Sequence, residues 1–541
     1  MFVRVKRSIQ ESGSYEYLQI VESVREGTKV RQRVIGNLGR RDQLVADGSL
    51  DALLASLAKF SERLRVVEKV RTEGLHAHTS RSWGPALVFD RLWREQGLPD
   101  LLRRLGRDRR FEFDLERVTF ALALQRLCAP GSDLQGSAWL RTVESPGFSS
   151  IELQHLYRTV GFLAEVREPL EKDLFARDRD LFSQTLDLVF IDTTSSYLYG
   201  SEETELRKRG YSRDRMPDQP QVILCLAVDR HGWPIAWDIL PGNTADRPAF
   251  VAMIKKLRER FRIGRAVVVA DRGMISKDTI ALLEDHAQAP FDFILGCRMR
   301  QQKEVSEEVL ARAGRYKKVA DQLEVKEVVV EGRRYVVCRN PAEAKKDAAA
   351  REAIIAKLET ALAQSPKSVL GNKGFARFLH LDKSAVTIDR QAIERDARLD
   401  GKFVLRTSTD LETGEVARAY KSLWRVERAF RETKSTLEVR PIFHQRDDTI
   451  IGHIVGCFLA LRLEVDLQRR LDERQVETSW PDLMRDLGEV KAVDLTLDGG
   501  RYRLRTDLVG VASAAFAAAG VRPPCVVTHL GPAPPREVRA V

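Results

Sequence analysis

One stretch narrows the possible folds more than any other: D-L-V-F-I-D-T-T-S-S-Y-L, from Asp187 to Leu198. β-Branched and aromatic side chains dominate it, the make-up of a strand. Asp192 lies in its middle, and an ionised carboxylate in a largely apolar strand is costly to bury unless it is paired or binds a cation. The alternative is an ordinary Asp at a strand end or capping a turn. A second acid has a similar setting. Residues 222–228 and 233–240 read as strands around Asp229-Arg-His-Gly232, a hairpin signal, and a helix is expected over about 247–261. R-A-V-V-V-A-D-R-G then ends a buried strand on Asp271, ahead of a helix from Ser276 and a strand over 291–296. An acid at the carboxyl end of a central strand, just before a glycine-containing turn, is well placed to line a crevice.

The third acid lies in Y-K-S-L-W-R-V-E-R-A-F-R-E-T-K, from Tyr420 to Lys434. The segment contains no Gly or Pro and is rich in helix formers. Read as one helix, it aligns Tyr420, Glu427 and Lys434 on one face, since each step of seven residues drifts only about 20°. Phe430 would lie about 60° from that line and border the acid with apolar surface. An ordinary solvated face, with Glu427 and Arg431 paired at i,i+4, explains the same pattern.

Strand, hairpin, helix, strand, helix, strand and a later acidic helix is an α/β order that resembles the ribonuclease H-like fold, in which the three carboxylates would converge. Three hard oxygen ligands on rigid elements suit two Mg2+ ions, with Mn2+ as a substitute, acting on a phosphodiester. V-F-I-D-T-T, V-V-A-D-R-G and the Glu427 segment resemble the DDE triad of bacterial insertion-sequence transposases. Tyr420, Glu427 and Lys434 match the Y-(2)-R-(3)-E-(6)-K signature of the insertion-sequence-four superfamily. G-Y-S-R-D-R-M-P-D-Q-P-Q-V from Gly210 and P-G-N-T-A-D from Pro241 are similar to one long-transposase branch of it. The resemblance covers about residues 81–471. It departs at Leu423, where the signature has Arg, with Arg425 and Arg428 nearby but out of register.

The resemblance implies a transposase that binds its element's ends and performs metal-dependent DNA cleavage and strand transfer. Asp192, Asp271 and Glu427 would be the catalytic metal ligands, and Tyr420, Arg425, Arg431 and Lys434 the DNA contacts. Its partners would be double-stranded DNA, as terminal inverted repeats and target, and a second copy of the chain in a synaptic homodimer. A stand-alone metal-dependent nuclease is the alternative within the same chemistry, and a domesticated DNA-binding protein without catalysis the alternative outside it.

The interval from Asp271 to Glu427 is about twice that from Asp192 to Asp271, too long for an ordinary connection. A β-containing insertion domain is therefore expected over 298–410, with a hairpin turning at Glu331-Gly332, a charged helix over 341–364 and a strand over 402–408. It divides the catalytic core into 181–297 and 411–475. Before the core come a small β unit, 1–48, with a basic face from Lys29, Arg31 and Arg33, and a helical, DNA-binding region, 49–180, with arginines clustered between Arg103 and Arg110. A C-terminal region, 476–541, ends in a Pro-rich tail expected to be flexible.

At 541 residues the chain exceeds one ordinary core. Its net charge of +11 favours a polyanionic partner. The six cysteines form no C-x-x-C pair, which argues against structural zinc or a disulfide framework. The N-terminus has no apolar signal core, and the run from Thr449 to Leu467 is interrupted by His453, Arg462 and Glu464. A cytosolic, nucleoid-associated protein with no membrane span is expected.

Overall fold

The computed structural model describes residues 1–10, 13–26, 29–58, 60, 76–182, 188–259, 266–274, 276–284, 291–364, 373–381, 386–431, 437, 441–497 and 499–532. The chain divides into two compact units, one of Met1–Trp83, Gly488–Val509 and Pro523–Val541, the other of Gly84–Leu487 and Gly510–Arg522.

In the first unit, β1 (Phe2–Gln10), β2 (Gly13–Glu26) and β3 (Lys29–Arg40) form an antiparallel sheet in sequence order. Of the expected basic face, Arg33 pairs across strands with Glu22 at 2.9 Å; elsewhere in the unit Glu16 holds both Arg7 at 3.0 Å and Arg41 at 2.7 Å. The chain between β2 and β3, and most of the expected helical region between Ala58 and His76, lie outside the described residues. β4 (His76–Ser82) belongs to a second sheet, built mainly from C-terminal strands.

The second unit holds a nine-stranded sheet. β5 (Leu188–Tyr197), β6 (Gln221–Asp229) and β7 (Pro234–Pro241) are antiparallel, and β8 (Val267–Ala270) and β9 (Asp292–Gly296) run parallel to β5 on its other side. The helix Asp246–Glu259 supplies the crossover that a parallel neighbour requires. Its Phe250, Met253 and Leu257 share one buried cluster with Ile191, Val268, Ala270, Phe293 and Leu295. Burial on both faces explains why β5, β6 and β8 read as near-continuous apolar runs. This is a ribonuclease H-like core.

The 298–410 segment extends that sheet. β10 (Lys317–Ala320), β11 (Leu323–Val330) and β12 (Arg333–Arg339) follow β9, then come the charged helix Pro341–Gln364 and a small hairpin of β13 (Leu379–Leu381) and β14 (Val386–Ile388). β15 (Lys402–Thr407) pairs with β9 on one side and β12 on the other, so the sheet runs β10-β11-β12-β15-β9-β8-β5-β6-β7. Glu331 and Gly332 turn the β11–β12 hairpin with φ of 46° and 75°, a left-handed pair that matches strand twist.

Of five α-helices between Gly84 and Glu165, Gly84–Glu95, Leu115–Cys128 and Leu153–Glu165 pack on the 27-residue helix Asp447–Glu473. At Gly452 a side chain would collide with the Val160 carbonyl, so the glycine permits this close crossing. Arg462, buried on that long helix, donates two 2.9 Å bonds to Asp178, which offsets the desolvation of its charge. Among the described residues, no helix is long and apolar enough to cross a membrane. The arginines expected to serve a DNA-binding bundle are largely paired, Arg103 with Asp100, Arg104 with Asp173 and Arg109 with Glu165.

β16 (Lys491–Leu497), β17 (Gly500–Arg505) and β18 (Val527–Pro532) complete the second sheet of the first unit, in the order β18-β17-β16-β4. The proline-rich tail lies outside the described residues from 533 onward.

Candidate active site

Strand register brings the first two acids together. Ile191 on β5 pairs with Ala270 on the parallel β8, so Asp192 and Asp271 each stand one residue further along neighbouring strands, which are spaced about 4.8 Å. Glu427 arrives from the helix Trp424–Arg431, which buries Val426, Ala429 and Phe430, packs against β5 and β6, and leaves Glu427 exposed. The charges of Asp271 and Glu427 both act on Asp192. Its carboxyl is pushed up to about 6, first by burial and further by those two acids, against lowering by the Thr193 N–H and Arg213. The three sequence-predicted acids therefore share one electrostatic neighbourhood.

The expected single helix is two. Thr413–Lys421 ends, Ser422 and Leu423 turn, and Trp424–Arg431 begins. Leu423, at the position where the signature has Arg, is buried within this break. Tyr420 and Glu427 consequently stand on different helices. Phe430, three residues after Glu427 on the same helix, is buried.

Tyr420 Oη donates to Asp271 Oδ1 at 2.9 Å, and its ring stacks on Phe403 at 5.8 Å. A side chain at Gly296 would collide with this hydroxyl, so the end of β9 is glycine where Tyr420 must pass. Burial, then the charge of Asp271, raises the Tyr420 phenol, which keeps it a proton donor. Arg425 is half-buried with its guanidinium 5.0 Å over the Trp424 ring, and its charge acts on Asp229 of the β6–β7 hairpin. Arg431 is exposed at the end of the Glu427 helix, and Lys434 lies outside the described residues.

Five further side chains lie around the acids. Arg213 Nη2 donates to Asp246 Oδ1 at 2.6 Å and to Thr193 Oγ1 at 3.0 Å, while Thr193 Oγ1 itself donates to Asp246 at 2.7 Å. The Arg213 N–H bonds Ser195 Oγ at 3.0 Å, which pins the long β5–β6 loop over β5. Asp246 approaches the turn after Asp271, where a Cβ on Gly273 would lie 3.2 Å from its Oδ2. Arg298 fastens that turn by donating to the Arg272 carbonyl at 3.1 Å. Arg213 and Asp246 belong to the G-Y-S-R-D-R and P-G-N-T-A-D blocks, but nothing in their spacing indicates that they meet.

The half-buried Asp192 and the exposed Asp271 and Glu427 are hard-oxygen donors whose mutual repulsion, opposed nearby by Arg213, a divalent cation would relieve. Among the described residues no three His, Cys, Asp or Glu side chains are arranged to hold an ion together, so the acids are neighbours without a closed coordination shell.

Two family models match the chain: IS1634 family transposase, N-terminal domain, over residues 3–72, and Transposase DDE domain, over residues 183–463. The second spans β5 to the middle of the long helix and contains all three acids. No curated protein compared with the chain matches it.

Proposed function

The chain belongs to the transposase DDE-domain family, and from that premise we propose that it binds the ends of its own insertion sequence, cuts them and joins them to target DNA through Asp192, Asp271 and Glu427. The observation that carries this reading is the pairing of Ile191 with Ala270, which sets Asp192 in mid-strand beside Asp271 at the end of its parallel neighbour, with a third acid acting electrostatically on the first.

Asp192, Asp271 and Glu427 would hold the cations. What two Mg2+, or Mn2+ in their place, supply when bound there is a more acidic water or 3′-hydroxyl nucleophile and neutralisation of charge on the departing oxygen. The protein's own part is positioning. Tyr420 orients the Asp271 carboxylate by donating to one oxygen, leaving the other to face the site. Arg213, held by Asp246 and Thr193, sets a fixed cation beside the acids where a phosphate would enter, and a guanidinium in such a frame suits phosphate better than a mobile ammonium. Arg425, Arg431 and Lys434 are proposed to meet the DNA backbone outside the acids. In the synaptic complex two copies of the chain would each engage one end.

The test is incubation of the purified chain with labelled DNA carrying the element's own ends, in Mg2+ or Mn2+. Nicked ends and joined products are expected. Ends that are bound but never cut with either metal would favour the non-catalytic DNA-binding protein, and cutting without joining the stand-alone nuclease.

A further inference from the structure

The second sheet of the first unit has two unlike faces. Leu495, Leu497, Tyr502, Leu504 and Val527 gather on one of them. The opposite face follows from the alternation R-Y-R-L-R in β17, which puts Arg501, Arg503 and Arg505 on one side at a pitch of about 6.8 Å. Register adds a fourth arginine, because Ala492 of β16 pairs with Arg505 on one side and Arg81 of β4 on the other. The methyl group between them leaves a flat floor. In the next row Asp494 lies between Arg503 and Thr79. Arg503 grips both oxygens of Asp494 at 2.7 and 2.9 Å and lies 5.5 Å over the Trp83 ring. Hydrogen bonding to Arg503 holds the Asp494 carboxyl below its usual range, and the charges of Arg81 and Arg501 lower it further, so all three cations act on this one acid.

The contrast with β1–β3 is informative. There Arg7 and Arg33 stand opposite glutamates and pair with them, whereas here Arg81, Arg501 and Arg503 act on one aspartate, and Arg505 donates to the Pro524 and Thr506 carbonyls, bonds that leave its charge in place. We infer that this face, carried by Arg81, Arg501, Arg503 and Arg505, binds the phosphate backbone of duplex DNA. The partner's identity rests on the transposase reading; the surface itself does not. Four strands span about 14 Å, wider than the roughly 12 Å major groove, so the sheet lies across the backbone instead of entering a groove to read bases. Binding at this face is therefore insensitive to sequence and strengthens contacts made elsewhere.

The experiment measures affinity of the full chain for a fluorescein-labelled 30-base-pair duplex of mixed sequence as salt is varied, with the double variant Arg81→Gln, Arg501→Gln as comparison. Asp494 keeps Arg503 in this variant, and unchanged far-ultraviolet circular dichroism and melting check the fold. Each lost phosphate contact removes about 0.9 from the logarithmic salt slope, so a slope shallower by about two is expected. An unchanged slope in a folded variant overturns the inference, as does a wild-type chain that binds phosphatidylserine vesicles and not the duplex. The two readings fail separately. Wild-type cleavage with an unchanged variant slope removes only this surface, and a reduced slope with no wild-type cleavage keeps the surface and removes the catalytic assignment.

Discussion

Tyr420 Oη donates a 2.9 Å hydrogen bond to Asp271 Oδ1, joining the helix before the Glu427 turn to the acid at the end of β8. Tyr420→Phe keeps the ring and its stack on Phe403 but frees that carboxylate oxygen. Stability should change by about 1 kcal/mol or less, the usual net worth of one hydrogen bond. The cleavage rate should fall about tenfold, with more Mg2+ needed for half-maximal rate, as single-turnover nicking across a metal titration would reveal. A purely structural tyrosine would leave the metal dependence unmoved.

Gly296→Ala probes the same contact from the other side, since its methyl group displaces the Tyr420 hydroxyl. The loss in cleavage should resemble that of Tyr420→Phe, and combining the two should add little, because both break one interaction. Fully additive losses in the double variant would show that Gly296 acts through some other neighbour.

Most of the sheet was legible because its strands are buried on both faces and bounded by strong turns: Asp229 to Gly232, Glu331-Gly332 and the Ser276 cap all stand where local chemistry puts them. Asp192 and Asp271 were legible because an acid in an apolar strand is conspicuous. The break after Tyr420 was not, since every residue from 420 to 431 is an acceptable helix former and no Gly or Pro marks the turn at Ser422 and Leu423. Nor was the meeting of Arg213, Thr193 and Asp246, which depends on a long loop folding back over β5. The arginine face of β4, β16 and β17 joins segments from opposite ends of the chain, a pairing that local pattern cannot announce.

Arg213 should act as a framed guanidinium. Arg213→Lys keeps the charge but loses the geometry held by Asp246 and Thr193, and cleavage should fall about tenfold or more while the melting temperature stays within a few degrees. Nicking at the wild-type rate by the lysine variant would reduce Arg213 to a loop anchor.

The raised carboxyl of Asp192 has a pH consequence. With its pKa moved from 3.8 to about 6 on folding, the native state holds a proton that the unfolded chain has released, so stability declines as pH rises between those values and the full penalty is present above about 6. In chelator, Asp192→Asn should melt higher than wild type at pH 7.5, and the gap should shrink towards pH 5. A gap constant across pH 5 to 8 would mean that ionisation of Asp192 is not costly in the folded protein.

The central claim is that Glu427 completes an acidic triad with Asp192 and Asp271. Glu427→Gln keeps size and helix propensity while removing the charge, so it should leave melting and DNA-end binding close to wild type. Single-turnover cleavage of the labelled element end in Mg2+ should fall by about 10²-fold or more, the scale of a lost electrostatic contribution to the transition state. A glutamine variant that binds and cuts the end as fast as wild type would contradict the assignment of the triad.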